Sequence, residues 1–137
     1  MNYHSKGSRF ATLMRSGMVA GNGQQAKDLA RIIRARRSRQ HYFPPHLFAD
    51  PAWDILLALA LANLEQQRLS VSELCKAADA PHSTALRYIQ ALMDEGMVVG
   101  LPDPLDGRRK FLSLSPEAAS QMSQYLNAQH LAELKAA

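Results

Sequence analysis

One arginine and several small polar residues lie near the start of a predicted helix, where they could form hydrogen bonds with a DNA duplex. Leu86, Ile89, Leu92 and Met93 recur at helical spacing, which predicts a helix over about residues 81–95 with these four side chains toward a core. An arginine can donate two hydrogen bonds to guanine O6 and N7, and residues at a helix start commonly contact base edges or phosphates. The candidates that face away from this core are His82, Ser83, Thr84, Arg87 and Tyr88.

The alternatives for two of these residues are structural. Arg87 could form a surface salt bridge, for example with Asp94, and Tyr88 could be partly packed in the core. We favour a DNA contact for Arg87, whereas the two interpretations of Tyr88 are about equally supported.

A second group of basic residues follows a turn. Asp106-Gly107 is a strong turn motif, and it is followed at once by Arg108, Arg109 and Lys110. Two short strands, 97–99 and 110–114, flank this segment, so we predict a β-hairpin with a basic tip over residues 102–110.

A further short helix is predicted before the first candidate helix. Ser72 could cap it, Glu73 places negative charge in its first turn, and it should end near Asp79. Gly96 is predicted to terminate the second helix in a left-handed conformation. Helix, turn, helix and basic hairpin form a winged helix-turn-helix, in which the second helix enters the DNA major groove. The expected fold class is mainly α with a small β-hairpin wing (α+β), with flanking helices.

The stretch resembles the DNA-binding core of MarR-type bacterial transcription regulators over about residues 48–126. The matching motifs are Asp-Pro-Ala-Trp at 50–53, Ser-Thr-Ala-Leu-Arg at 83–87, Leu-Met-Asp-Glu-Gly-Met-Val at 92–98, Asp-Pro-Leu-Asp-Gly-Arg at 103–108 and Leu-Ser-Leu-Ser-Pro at 112–116. The resemblance implies that Arg108 reaches the minor groove and that Asp106 orients it. It also implies regulation of transcription through double-stranded DNA.

The sequence departs from this family in two places. Gly107 stands where relatives often carry another basic residue, and Arg109 with Lys110 could compensate. Relatives end with two helices that build a dimer interface and a ligand pocket, whereas this chain has room for one. This argues against a small-molecule effector, and we assign no ligand residues.

The charge is divided unevenly along the chain. Residues 1–47 contain nine Lys/Arg and one Asp, a net charge of +8, whereas residues 48–137 sum to −4. We predict three parts: a disordered segment at 1–23, a basic arm helix from residue 24 with a Pro-rich linker ending at 47, and the winged domain at 48–137. The arm arginines either bind DNA or form a solvated face while Leu29 and Ile33 pack against helix 51–67, and the candidates for DNA contact are Arg34, Arg36, Arg37 and Arg39.

The predicted helix at 51–67 is apolar on almost every side, so it must be covered on several sides. One cover is its own domain, and another is the arm helix or a second subunit. Together with the arm and the predicted helix 116–135, it is the candidate interface of a homodimer.

No arrangement of residues typical of an enzyme was found, and the five histidines lack metal-ligand spacing. We therefore predict no catalytic residue, metal or cofactor, and no membrane partner. The single cysteine, Cys75, suits a reducing compartment, and we expect a cytoplasmic location and a buried thiol rather than a redox switch. The leading hypothesis is a sequence-specific DNA-binding transcription regulator. The alternative is a winged-helix module that binds another protein, with little or no DNA binding.

Overall fold

The structure, a computed structural model, describes residues 22–136. These described residues form five α-helices, α1 (Asn22–Ser38), α2 (Pro51–Leu64), α3 (Val71–Ala77), α4 (His82–Asp94) and α5 (Pro116–Ala136), and three strands, β1 (Leu69–Ser70), β2 (Val98–Pro102) and β3 (Lys110–Leu114). The expected fold class, a winged helix-turn-helix with flanking helices, is confirmed. The segment predicted to be disordered lies outside the described residues, except for residues 22 and 23, which begin α1 two residues earlier than expected.

Helix α1 is packed into the body of the domain. It contacts both α2 and α5, and Leu29 is completely buried among the core side chains. Two short 3-10 turns, Arg39–His41 and Pro45–Leu47, follow it. Pro44 has an extended backbone between them, as is usual for a residue that precedes a proline. The part of the chain predicted as an arm therefore shares the core of the winged domain.

Helix α2 lies at the centre of the molecule. It packs against α1, α3, α4 and β3, which accounts for its apolar character on nearly every side. It ends at Leu64, three residues before the expected Gln67. Gln66 takes a left-handed conformation with φ of 57°, and the amide of Gln67 returns to the carbonyl of Ala62 at 2.8 Å. This hydrogen-bond pattern closes the helix at Leu64, where its apolar run also ends.

The N-cap of α3 is Ser70, and the prediction of Ser72 is wrong. The Ser70 hydroxyl accepts a hydrogen bond from the Glu73 amide, and the Glu73 carboxylate accepts one from the Ser70 amide, at 3.2 and 3.1 Å. This reciprocal capping box requires Ser and Glu three positions apart, so Ser72 falls inside the helix. The short strand β1 ends at the same serine.

Helix α4 buries Ala85, Ile89 and Leu92, whereas Leu86, which we expected in the core, is 39% exposed. The buried stripe runs at positions i, i+4 and i+7, and Leu86 lies beside it on the outer face. Gly96, with φ of 74°, ends the helix as predicted, because the amide of Met97 bonds to the carbonyl of Leu92 at 3.0 Å.

The sheet has the order β1-β3-β2, and both pairs are antiparallel. Strands β2 and β3 form the predicted hairpin, with Val98 opposite Leu114 at its base and Pro102 opposite Lys110 near its tip. Ser115 then caps α5, because its hydroxyl accepts a hydrogen bond from the Ala118 amide. The hairpin therefore projects from the same core that holds α3 and α4.

Candidate nucleic-acid interface

The outer face of α4 presents the polar side chains expected from the sequence. His82, Ser83, Arg87 and Tyr88 are exposed, while Thr84 is half-buried. Within residues 22–136, Arg87 forms no ion pair, and Asp94 accepts a hydrogen bond from Gln90 instead. The salt bridge considered as an alternative for Arg87 is thus not formed in the described part, and its guanidinium is free for a ligand.

The wing holds Arg108 away from the body of the protein. Asp106 accepts hydrogen bonds from the backbone amide of Arg108 at 3.0 Å and from its side-chain Nε at 3.2 Å. The Arg108 side chain nevertheless remains 94% exposed. A carboxylate that fixes the guanidinium near its base leaves the outer nitrogens available to an anionic or polar partner.

The next arginine has a different environment. Nη2 of Arg109 lies 3.5 Å from Oε1 of Glu73, and its guanidinium carbon lies 5.2 Å from the centre of the Phe111 ring. Arg109 is therefore bound to α3 and to the sheet, whereas Lys110 is exposed at the start of β3.

Glu73, predicted only to place negative charge in the first turn of α3, also binds Ser70 and Arg109. Hydrogen bonds from the side chain and backbone of Ser70 lower the pKa of Glu73, and the charges of Arg109 and Lys76 lower it further. The Ser-x-x-Glu spacing at 70–73 is the sequence feature that could have identified its capping role.

The four candidate arginines of the N-terminal part do not share one environment. Arg36 is four-fifths buried and pairs with Asp54 of α2 at 2.5 Å. Arg39 donates a hydrogen bond to the carbonyl of Phe48 and lies over its ring. Arg34 and Arg37 are exposed and, in the described residues, have no ion-pair partner. Only these last two present fully available charges.

The 3-10 turn that follows α1, Arg39–His41, also reaches the turn of the helix-turn-helix. The side-chain amide of Gln40 donates a hydrogen bond to Asp79, which has a left-handed backbone with φ of 52°. Asp79 lies between α3 and α4, so the segment that follows the basic end of α1 adjoins the motif that positions the outer face of α4.

Several open cavities flank the motif. One of about 400 Å³ lies between the end of α1, α2 and α3, and its charged lining is mixed, with Arg37 and Lys76 opposite Glu65 and Asp79. The second, about 260 Å³, is almost wholly apolar and is formed by α2, α5 and the base of the hairpin, with Trp53 and Tyr125 in edge-to-face contact at 5.3 Å.

The remaining reactive groups show no arrangement for catalysis or metal binding. Across residues 22–136, no three His, Cys, Asp or Glu side chains are grouped so that they could hold a metal ion. Cys75 is buried, and burial raises the pKa of its thiol, which agrees with the interpretation of a structural cysteine. No helix among these residues is long and apolar enough to cross a membrane.

Comparison with known proteins agrees with this geometry. Residues 48–109 match the model of the MarR family. No curated protein matches the chain.

Several solved structures are similar in fold. MepR from S. aureus, crystallised in a DNA-binding conformation, has a TM-score of 0.51 and 17% identity, covering 80% of this chain and 82% of MepR. AF1382 from Archaeoglobus fulgidus has a TM-score of 0.50 and 19% identity, covering 69% of this chain and 94% of AF1382. A ZitR mutant from Lactococcus lactis has a TM-score of 0.49 and 15% identity, covering 63% of this chain but only 55% of ZitR.

Proposed function

We propose, from the premise that residues 48–109 match the MarR family, that this chain is a sequence-specific regulator of transcription that binds double-stranded DNA. The observation that carries the proposal is the placement of Arg108. Asp106 binds this side chain, which remains 94% exposed at the tip of the wing, and the exposed face of α4 is the proposed recognition helix. Such a regulator works in the cytoplasm, without a cofactor and without catalysis.

The proposed contacts divide into those that read bases and those that hold the backbone. Arg87 reads a guanine in the major groove, and Arg108 enters the minor groove. Tyr88 reaches a thymine methyl or a phosphate. The remaining proposed contacts are to phosphates, which position the protein without reading sequence, and they come from His82, Ser83, Thr84, Lys110, Arg34, Arg37 and Arg39. Arg36 is set aside, because its ion pair with Asp54 occupies it.

The second candidate function is a winged-helix module that docks on another protein. The net charge of −4 over residues 48–137 favours it, because phosphate attraction supplies most non-specific DNA affinity. The two functions differ in the salt dependence of binding to random duplex. A regulator should lose affinity steeply as salt rises, whereas a protein-docking module should show negligible binding at every salt concentration.

We propose further that the regulator is a homodimer, because one recognition helix buries too little surface for tight specific binding. The apolar cavity at Trp53 and Tyr125 is the proposed centre of the interface, and Leu56, Met97 and Met122 also line it. Tyr125→Glu should convert the dimer to a monomer in sedimentation at micromolar concentration, because it would bury an unpaired charge. A monomeric parent protein would contradict the dimer.

Arg87→Ala should weaken binding to the preferred duplex by about 1–3 kcal/mol and relax the preference at one base position per half-site. The reason is that a bidentate contact to guanine is lost while the phosphate contacts remain. Binding to a library of single-base variants of the preferred site would measure this. If affinity instead falls equally for all sequences, Arg87 contacts a phosphate and its assignment to base reading is wrong.

A further inference from the structure

We infer that Arg109 is a positioning residue, which fixes the wing against α3 through Glu73, rather than a contact to DNA. This inference rests on the proposed function, because the position of the wing affects binding only if the wing contacts DNA. It assigns different tasks to two adjacent arginines that are identical in charge.

One carboxylate oxygen joins three elements of the motif. Oε1 of Glu73 accepts hydrogen bonds from the amide of Ser70 at 3.1 Å and from its hydroxyl at 2.8 Å. The same oxygen lies 3.5 Å from Nη2 of Arg109. Because Ser70 ends β1 and caps α3, the ion pair links the wing to both the edge of the sheet and the first helix of the motif.

The aromatic ring of Phe111 adds a second constraint on the same arginine. Phe111 pairs with Ser70 between β1 and β3, so its backbone is fixed by the sheet. The guanidinium carbons of Arg109 and Arg68 lie 5.2 and 5.8 Å from the ring centre. The Arg109 side chain is consequently 52% exposed, compared with 94% for Arg108.

The base of the wing depends on the backbone of Arg109 as well. Its carbonyl accepts a hydrogen bond from the Asp103 amide at 3.1 Å, and its amide donates to the carbonyl of Asp106 at 3.0 Å. Holding Arg109 against α3 therefore holds the turn that carries Arg108. Since α3 packs directly against α4, the pair sets the distance between the wing arginine and the recognition helix.

The test compares Glu73→Gln, Arg109→Gln and the double variant in the full-length protein. Gln at position 73 still completes a capping box, so this change removes the charge that attracts Arg109 without removing the cap. Glu65→Gln is the matched control, because Glu65 is also exposed and its loss changes the net charge equally. Arg108→Gln is the reference for loss of a direct contact.

The first measurement is hydrogen exchange of the amides of Asp103 and Arg109 without DNA. Both single variants should accelerate exchange at these amides by about two- to five-fold, the range of an exposed ion pair, and the double variant should accelerate it no further. Glu65→Gln should leave it unchanged. Unchanged exchange in both single variants would overturn the inference, whether or not the protein binds DNA.

The second measurement is the preference for A·T-rich over G·C-rich flanks in duplex binding, together with its salt dependence. Glu73→Gln and Arg109→Gln should reduce the preference by a similar factor, while the slope of log affinity against log salt stays at the parent value. Arg108→Gln should lower both the flank preference and the slope.

A slope reduced by about 0.9 per phosphate contact in Arg109→Gln, with no effect of Glu73→Gln, would instead make Arg109 a phosphate contact. A parent protein without DNA binding would refute the proposed function and leave the exchange result to decide the Arg109–Glu73 contact.

Discussion

Leu29→Ala is expected to lower the free energy of unfolding by about 2–5 kcal/mol, although residue 29 lies outside the segment that matches the family model. Leu29 is completely buried among the core side chains, and α1 packs against α2 and α5. Truncating it removes apolar contacts and leaves a cavity that rigid helices fill only in part. The stability of the winged domain should therefore depend on α1, although the charge pattern predicts α1 to be a separate arm.

The control is the same truncation at the wing tip. Leu105 is 94% exposed, so Leu105→Ala should change the unfolding free energy by less than about 0.5 kcal/mol. Urea unfolding followed by circular dichroism measures both variants, and a shift of the midpoint at constant slope reports stability. Equal, small losses in the two variants would show that α1 contributes nothing to the core.

The features that could be predicted from sequence are those encoded within a few residues. Gly96 ends α4 because a left-handed residue is needed there, and Asp106 with Gly107 marks the turn of the wing. Helix, turn and hairpin therefore appear in the predicted order. The errors were also local: Ser70 and Ser72 both precede Glu73, and the cap was assigned to the wrong one. Only the three-residue spacing of the capping box distinguishes them.

The state of individual charges could not be predicted, because it depends on packing between distant segments. Arg36 and Arg37 are adjacent in sequence and identical in chemistry. Arg36 meets Asp54, 18 residues away, only because α1 lies against α2, whereas Arg37 faces outward. The wing shows the same contrast between Arg108 and Arg109. A run of basic residues therefore gives the total charge of a surface, and the structure decides which members remain available to a partner.

The arginines of α1 either contact DNA or only face water, and substitution of the two exposed ones can distinguish these roles. The double variant Arg34→Gln, Arg37→Gln should reduce the slope of log affinity against log salt by about three to four units in a dimer, since each lost phosphate contact contributes about 0.9. Its unfolding free energy should stay near the parent value, because both side chains are exposed. The preference among duplex sequences should survive, because phosphate contacts do not read bases.

Arg36→Gln is the matched control for this double variant. It also removes a positive charge from α1, but we expect it to change stability and not the salt slope. It leaves Asp54 without its partner in a site where both side chains are about four-fifths buried, so stability should fall by about 1–3 kcal/mol. The salt slope of the folded protein should stay unchanged. Duplex binding from 50 to 200 mM salt and urea unfolding of each variant provide the two measurements.

An unchanged slope in the Arg34, Arg37 variant would show that these arginines only face water, and α1 would then act solely by packing against α2 and α5. A reduced slope with normal stability would instead place the outer face of α1 on the DNA backbone, beside the turn that Gln40 and Asp79 connect to it.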